Sequence, residues 1–394
     1  MKILTATKPC DEAKKIVLED MILTRDMPTQ AGSKMLEGYM SLFDAEVVTR
    51  LVSNGYGIAG KCDVGEFAID LVGESSVNGA NVVNSKLIGA AGKVLEDDSI
   101  NAVVGLDVNG TVRRVAAQSG LVSIKPTYGI VSRFGTIPVA CSGETVSVTA
   151  RDVQTVREIL GVIVGHDSKD GTSHSDEVCM SALVSSGKVS RVAVLSDLMT
   201  DIDGEVKASM DRAIDSLKAN GVEVEYIDSS VIAMSRIAWN VLMSAELCNN
   251  VSRYDGVKYG YRTESFTSIE ELYTGSRTEA FGKLLKSAIL YGSETLSTAN
   301  YVKVYDKALR MRRVIVDAMK EIFSRVDAIL MPACSTMAYG EDGDVYLSYV
   351  ENRFTAPASI TGMPAVVCGG VQIVGDTFSD SKILDIARMI EEVR

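Results

Sequence analysis

Residues 105–135 read GLDVNGTVRRVAAQSGLVSIKPTYGIVSRFG, and Thr111 follows an Asn-Gly turn at the end of an apolar run. A small hydroxyl held on a glycine turn at a strand end is where a hydrolase places a nucleophile, within reach of backbone N–H donors that stabilise an oxyanion. Val108, Asn109 and Gly110 form that turn. Taken alone, the same segment also reads as a strand-to-helix turn capped by the threonine. Downstream, Lys125-Pro126-Thr127-Tyr128-Gly129 puts proline and glycine where a chain bends.

Other chemistry is sparse. The two histidines, His166 and His174, share a polar loop, GHDSKDGTSH, which argues against a histidine-ligated metal centre. Seven cysteines, an odd number with no C-x-x-C pair, argue against a disulfide framework or a zinc site. No metal and no cofactor are expected. A formal charge of −12 repels phosphate backbones, so direct nucleic-acid binding is not expected, although a partner that holds RNA is compatible with it. No apolar run reads as long enough for a membrane span and the N-terminus lacks a signal-peptide core, so no membrane role and a cytoplasmic location are expected.

The elements that must position these residues read as α/β. With 46% hydrophobic and 23% charged residues over 394 positions, the chain can build a substantial core. Residues 102–106 and 120–124 read as strands flanking the Thr111 turn, and residues 11–23 as a helix leading into a strand. Asp44 reads as the N-cap of a helix ending at Asn54-Gly55, and Asp152 as the cap of a helix to about Val164. Gly89 to Gly92 reads as small and flexible. Residues 191–227 give a strand–helix–strand unit, residues 230–253 and 295–325 long helices, 328–331 and 365–374 buried strands, and 379–393 a closing amphipathic helix. The basic run Arg310, Arg312 and Arg313 reads as a solvated helix face. No repeat or linker stands out, so residues 1–394 are expected to form a single domain.

The segment around Thr111 resembles the hallmark of the amidase signature enzymes, in which LKPTYG-x-VSR-x-G follows GSDTGGSIR. The likeness is nearest to the branch of tRNA-amidotransferase A subunits. It extends over nearly the whole chain: GKCDVGEFAIDLVGESS at 60–76, RYDGVKYGYR at 253–262, SRTEAFG at 276–282 and FTAPASITGMPA at 354–365 follow in family order. The resemblance implies a mixed β-sheet core sandwiched between helices, here without the N-terminal helical region usual in the A subunits. It also implies partner subunits of a tRNA amidotransferase-like complex. AVVCGGVQIVG runs together two pieces that the family separates by a loop and strand.

The same resemblance implies altered chemistry. In the family a lysine deprotonates a serine, which activates a second serine as nucleophile. Matched by motif, those positions carry Glu19, Leu87 and Thr111. An aliphatic side chain neither donates nor accepts a proton, so no proton relay is expected. The oxyanion turn is represented by Val108, Asn109 and Gly110. The positions that clamp a ligand's carboxylate and amine carry Ser287 or Ala288, and Asn352. Three readings follow. One is a non-catalytic relative acting as scaffold, partner or regulator. Another is a repurposed cavity, with Thr111 and Glu19 as nucleophile and base, or Asn109 and Asn352 binding a new ligand. A third keeps glutamine-dependent amidation. Lys86, beside Leu87, is a candidate to reach inward, and Arg113 a candidate partner for Glu19.

Overall fold

The computed structural model describes residues 3–73, 75–83, 85–184, 187–340 and 344–392. Among these residues, fourteen strands run in chain order: β1 (Leu4–Thr7), β2 (Lys14–Glu19), β3 (Tyr56–Cys62), β4 (Val82–Val83), β5 (Lys86–Leu87), β6 (Ile100–Asp107), β7 (Val122–Lys125), β8 (Thr145–Ala150), β9 (Arg191–Leu195), β10 (Glu223–Ile227), β11 (Ala328–Pro332), β12 (Tyr339–Gly340), β13 (Ala365–Cys368) and β14 (Val371–Val374). Eleven of them form one sheet in the order β1-β3-β2-β6-β8-β7-β13-β14-β11-β9-β10, and β12, β5 and β4 form a small second sheet. The large sheet is mixed. β2 is parallel to β3 and β6, β9 to β10 and β11, and the middle of the sheet is antiparallel.

Alternate side chains of the central strands enter cores on opposite faces, which is the pleat expressed as packing. Ile16, Leu18, Val104 and Leu106 join the large core, while Val17 and Val103 join a second one with Val115 and Ala116. Helices cover the sheet: Thr111–Ser119 lies against β7 and β13, Val153–Ile163 against β8, and Asp380–Glu391 against β13. β2 and β6 are neighbouring parallel strands, so Glu19 and Asp107 end at the same sheet edge. In α/β sheets, sites are built at such carboxyl ends.

The strand–helix–strand unit at 191–227 is as expected, with helix Gly204–Ala219 joining parallel β9 and β10. Other expectations need correction. Residues 14–19 form β2 with no preceding helix, because a strand covered on both faces shows a continuous apolar run rather than alternation. Asp44 is not a cap; its carboxylate accepts from the Arg25 N–H (2.8 Å) and guanidinium (3.1 Å), and Ala45 precedes helix Glu46–Ser53. The Gly89–Gly92 stretch begins helix Ala90–Val94, and its glycines serve close packing. A Cβ on Gly89 would lie 2.1 Å from Val115 Cγ2, and one on Gly92 2.1 Å from Ser119 Oγ.

In the expected 295–325 helix, a π-helical turn at Tyr301–Tyr305 leads into Asp306–Phe323. Arg310 and Arg313 pair with Asp306 and Asp317 on its exposed face, but Arg312 turns inward to the Ser142 carbonyl (2.7 Å). One stretch, residues 230–251, is long and apolar enough to cross a membrane by length and composition, contrary to the sequence reading. It is 61% buried inside the fold and carries the fully buried Trp239, as a core helix does.

Candidate functional site

Thr111 is the first residue of helix Thr111–Ser119, and the turn before it is held open by Gly110 at φ +98°. A Cβ at Gly110 would lie 2.3 Å from Thr355, so glycine is required on both counts. The threonine does not cap the helix: its hydroxyl is buried and has no hydrogen-bond partner. Glu19, at the end of β2, turns toward the same place. Its Oε2 accepts from the Leu106 N–H at 3.0 Å, across the space left by Gly105, where a Cβ would stand 2.3 Å from the carboxyl carbon.

Thr111 and Glu19 share one small cavity of about 30 Å³, lined also by Asp63, Asp70, Asn81 and Arg114. That is room for about two waters. Pockets for metabolites run to roughly 300–1,000 Å³. Burial pushes the Glu19 carboxyl up to about 7, with the Leu106 N–H opposing the rise. Arg114, like Asp63, Asp70 and Asn81, was not picked out from the sequence. Only 3% exposed, it donates to Gln118 Oε1 while its Nε–H finds no partner, and burial holds its guanidinium below the usual arginine range. The available signal is the doubled arginine at 113–114, in which the second residue is the one that reaches the cavity.

Arg113 does not pair with Glu19. It is wholly buried, makes two bonds to Asp107 (2.8 and 3.0 Å) and donates to the Thr355 carbonyl, Gln372 Oε1 and Ser359 Oγ. One side chain thus ties the Thr111 turn to the C-terminal third of the chain. Leu87, on β5, does not line the cavity; it packs with Val72 and Tyr339. Lys86 beside it is exposed and does not reach inward. A buried lysine–hydroxyl contact does exist, from Lys61 Nζ to Thr29 Oγ1, but neither residue lines the Thr111 cavity. Lys125 is also buried, donating to the Met363 carbonyl at 3.0 Å, and burial pushes its amine down to about 7.

The turn and recognition positions meet in a cage of amides. Val108 is fully buried. Asn109 Nδ2 donates to the Ile69 carbonyl (3.0 Å), and its Oδ1 accepts from Trp239 Nε1 (3.1 Å) and Asn352 Nδ2 (3.0 Å). Asn352 Nδ2 donates further to Asn240 Oδ1 (2.6 Å). Gly143 makes room for the indole, since a Cβ there would lie 2.3 Å from the ring. Asn109 is therefore spent on Ile69, Trp239 and Asn352, while Asn352 commits its amide nitrogen to Asn109 and Asn240 and leaves its buried Oδ1 without a partner. Ala288 is buried in helix Lys283–Leu296, while Ser287 is half-buried beside a surface groove with Asn240 and Tyr349.

The histidine loop is closed by His166 Nδ1 on the His174 carbonyl (2.9 Å), and no metal-holding cluster occurs among the described residues. The family-like motifs are likewise bound up internally. Arg262 bonds the carbonyls of Gly256 and Val257, Arg277 those of Val251 and Tyr254, and Glu279 accepts from Thr263 and Tyr261.

A family model described as Amidase matches residues 15–384. The A subunit of glutamyl-tRNA(Gln) amidotransferase from Symbiobacterium thermophilum is 35% identical over 403 residues, covering 96% of this chain and 82% of the relative. The protein of the same name from Agathobacter rectalis is 33% identical, covering 96% and 80%. The crystal structure of the Thermotoga maritima counterpart superposes with a TM-score of 0.81 at 27% identity, over 99% of this chain and 87% of that one. A 6-aminohexanoate cyclic dimer hydrolase shares the fold, with a TM-score of 0.81 at 17% identity over 96% and 84%.

Proposed function

This chain belongs to the amidase signature family, and from that premise we propose that it is a relative of the tRNA-amidotransferase A subunits that works without amide hydrolysis, as a scaffold or regulatory partner. The observation that carries the reading is the size of the Thr111 cavity, about 30 Å³. A glutamine side chain does not fit where about two waters do. Support comes from the residues around it. Glu19 replaces an amine base with a carboxyl that is half protonated near neutrality. Leu87 offers no proton path, and Asn109, Asn352 and Trp239 occupy the recognition side.

The partners on this reading are protein subunits of a tRNA amidotransferase-like complex in the cytoplasm, with any RNA held by the partner. The test is ammonia release from glutamine and asparagine, by the purified chain alone and mixed with such subunits. Background rates are expected in both. Turnover that disappears in Thr111→Ala overturns the proposal.

One observation favours a second reading. The unpartnered Thr111 hydroxyl and a carboxyl poised near 7 stand in the same cavity, at the start of a helix whose dipole favours developing negative charge. On that reading Glu19 takes the Thr111 proton as the hydroxyl attacks a small carbonyl or ester. Covalent labelling of Thr111 by a small acylating probe, lost in Glu19→Gln, separates it from the first. Restored glutamine-dependent transamidation in a reaction lacking its ordinary glutaminase component would instead make the chain a working part of an amidotransferase.

A further inference from the structure

A larger cavity than the one at Thr111 lies at the other end of the same helix. It is a groove of about 580 Å³, within the size range of metabolite pockets. One wall is helix Gly204–Ala219, whose Glu205, Ser209, Arg212 and Ser216 recur at three- and four-residue intervals and so share a face. The opposite wall is the end of helix Thr111–Ser119, with Gln118, and the tight β13–β14 hairpin with its Gly369-Gly370 turn (φ +62° and +82°).

The groove's charges are uncommitted. Glu205, Arg212 and Asp215 all line it, and none has an ion-pair partner within 4.0 Å among the described residues. Arg212 spends one N–H on Ser209 Oγ (2.9 Å), which steadies its guanidinium on the groove face. Gln118 carries a buried side-chain amide nitrogen with no partner. Met337, Ala213 and Ile390 supply apolar floor between the charges.

We propose that this groove binds a small molecule bearing one carboxylate and two amines, of the class of lysine or a lysine-containing dipeptide. The carboxylate takes the Arg212 fork, and the amines take Glu205 and Asp215, which stand on either side of Arg212 along about three turns of helix. A ligand of net charge +1 neutralises a groove of net charge −1 in a chain of charge −12. The site does not depend on whether Thr111 is catalytic. It does bear on that cavity, because Gln118 reaches from the groove to Arg114, which lines it.

The test is isothermal titration of the full chain with lysine and Ala-Lys, using glutamate and cadaverine as controls. Saturable binding of lysine or Ala-Lys is expected, with cadaverine and glutamate weaker by about tenfold or more because each lacks one half of the recognition. Arg212→Met is expected to weaken Ala-Lys binding by about tenfold, and Glu205→Gln with Asp215→Asn by at least as much, with thermal midpoints close to the parent's because all three side chains are exposed. No saturable binding of lysine or Ala-Lys, equal binding of cadaverine, or affinity unchanged in the folded variants overturns the proposal.

Discussion

A buried hydroxyl with no partner costs free energy that an isosteric methyl does not, on the order of 1–3 kcal/mol. Thr111→Val is therefore expected to raise the stability of the chain by about 1 kcal/mol, read as a higher urea midpoint with unchanged slope. A lower midpoint would place a water or ligand on that hydroxyl. Glu19 gives a second expectation. Its carboxyl sits at about 7 in the folded chain against an ordinary 4.5, so the folded state keeps a proton that the unfolded state has shed between those values. The contribution of Glu19 to stability accordingly falls as pH rises through that window. Glu19→Gln has no such proton to lose. Its stability relative to the parent is expected to climb between pH 4.5 and 7 by up to about 3 kcal/mol, measured by denaturant unfolding across that range. A flat difference would show that Glu19 is solvated. At this scale Thr111 and Glu19 were picked out by motif order; Thr111 follows a turn held by Gly110, and Glu19 ends β2 opposite Gly105. Arg113 and Arg114 were not, since nothing local distinguishes an arginine that crosses the core from one that faces a cavity.

The elements are joined at the Thr111 turn. Arg113 bonds Asp107 at the end of β6, the carbonyl before helix Ala356–Thr361, Ser359 within it, and Gln372 on β14. Arg113→Met leaves Asp107 as a buried charge without its cation, and removing one partner of such a pair costs about 3–5 kcal/mol. The loss should appear as a lowered thermal midpoint, and a near-parental midpoint would mean that Asp107 finds another donor. A separate set of buried bonds lies under another motif that read clearly. Residues 354–365 and 125–129 keep their family spelling where they grip the core: Thr127 donates to Asp380 through both its N–H (2.8 Å) and its hydroxyl (2.6 Å). Elements defined by packing on both faces, such as β2, or by close helix contact, such as Ala90–Val94, could not be read from periodicity or propensity. Their identity depends on neighbours far along the chain.

Across the whole molecule, one large mixed sheet runs from β1 to β10, covered by helices, and the order of strand and helix signals was enough to place it in the α/β class. The excess of acid is a property of the same scale. The chain alone is expected not to retain tRNA in a gel-shift experiment at about 0.15 M salt, and retention that weakens steeply with added salt would reveal a basic face not evident in the ion pairs. Trp239 turns the amide cage into something observable. It is the only tryptophan in 394 residues, wholly buried, with its indole N–H on Asn109 two positions before Thr111. The tryptophan fluorescence of this chain therefore comes from a single ring in the Asn109–Asn352 amide cage, so any partner that pries the cage open will announce itself as a red shift and as new access for a collisional quencher.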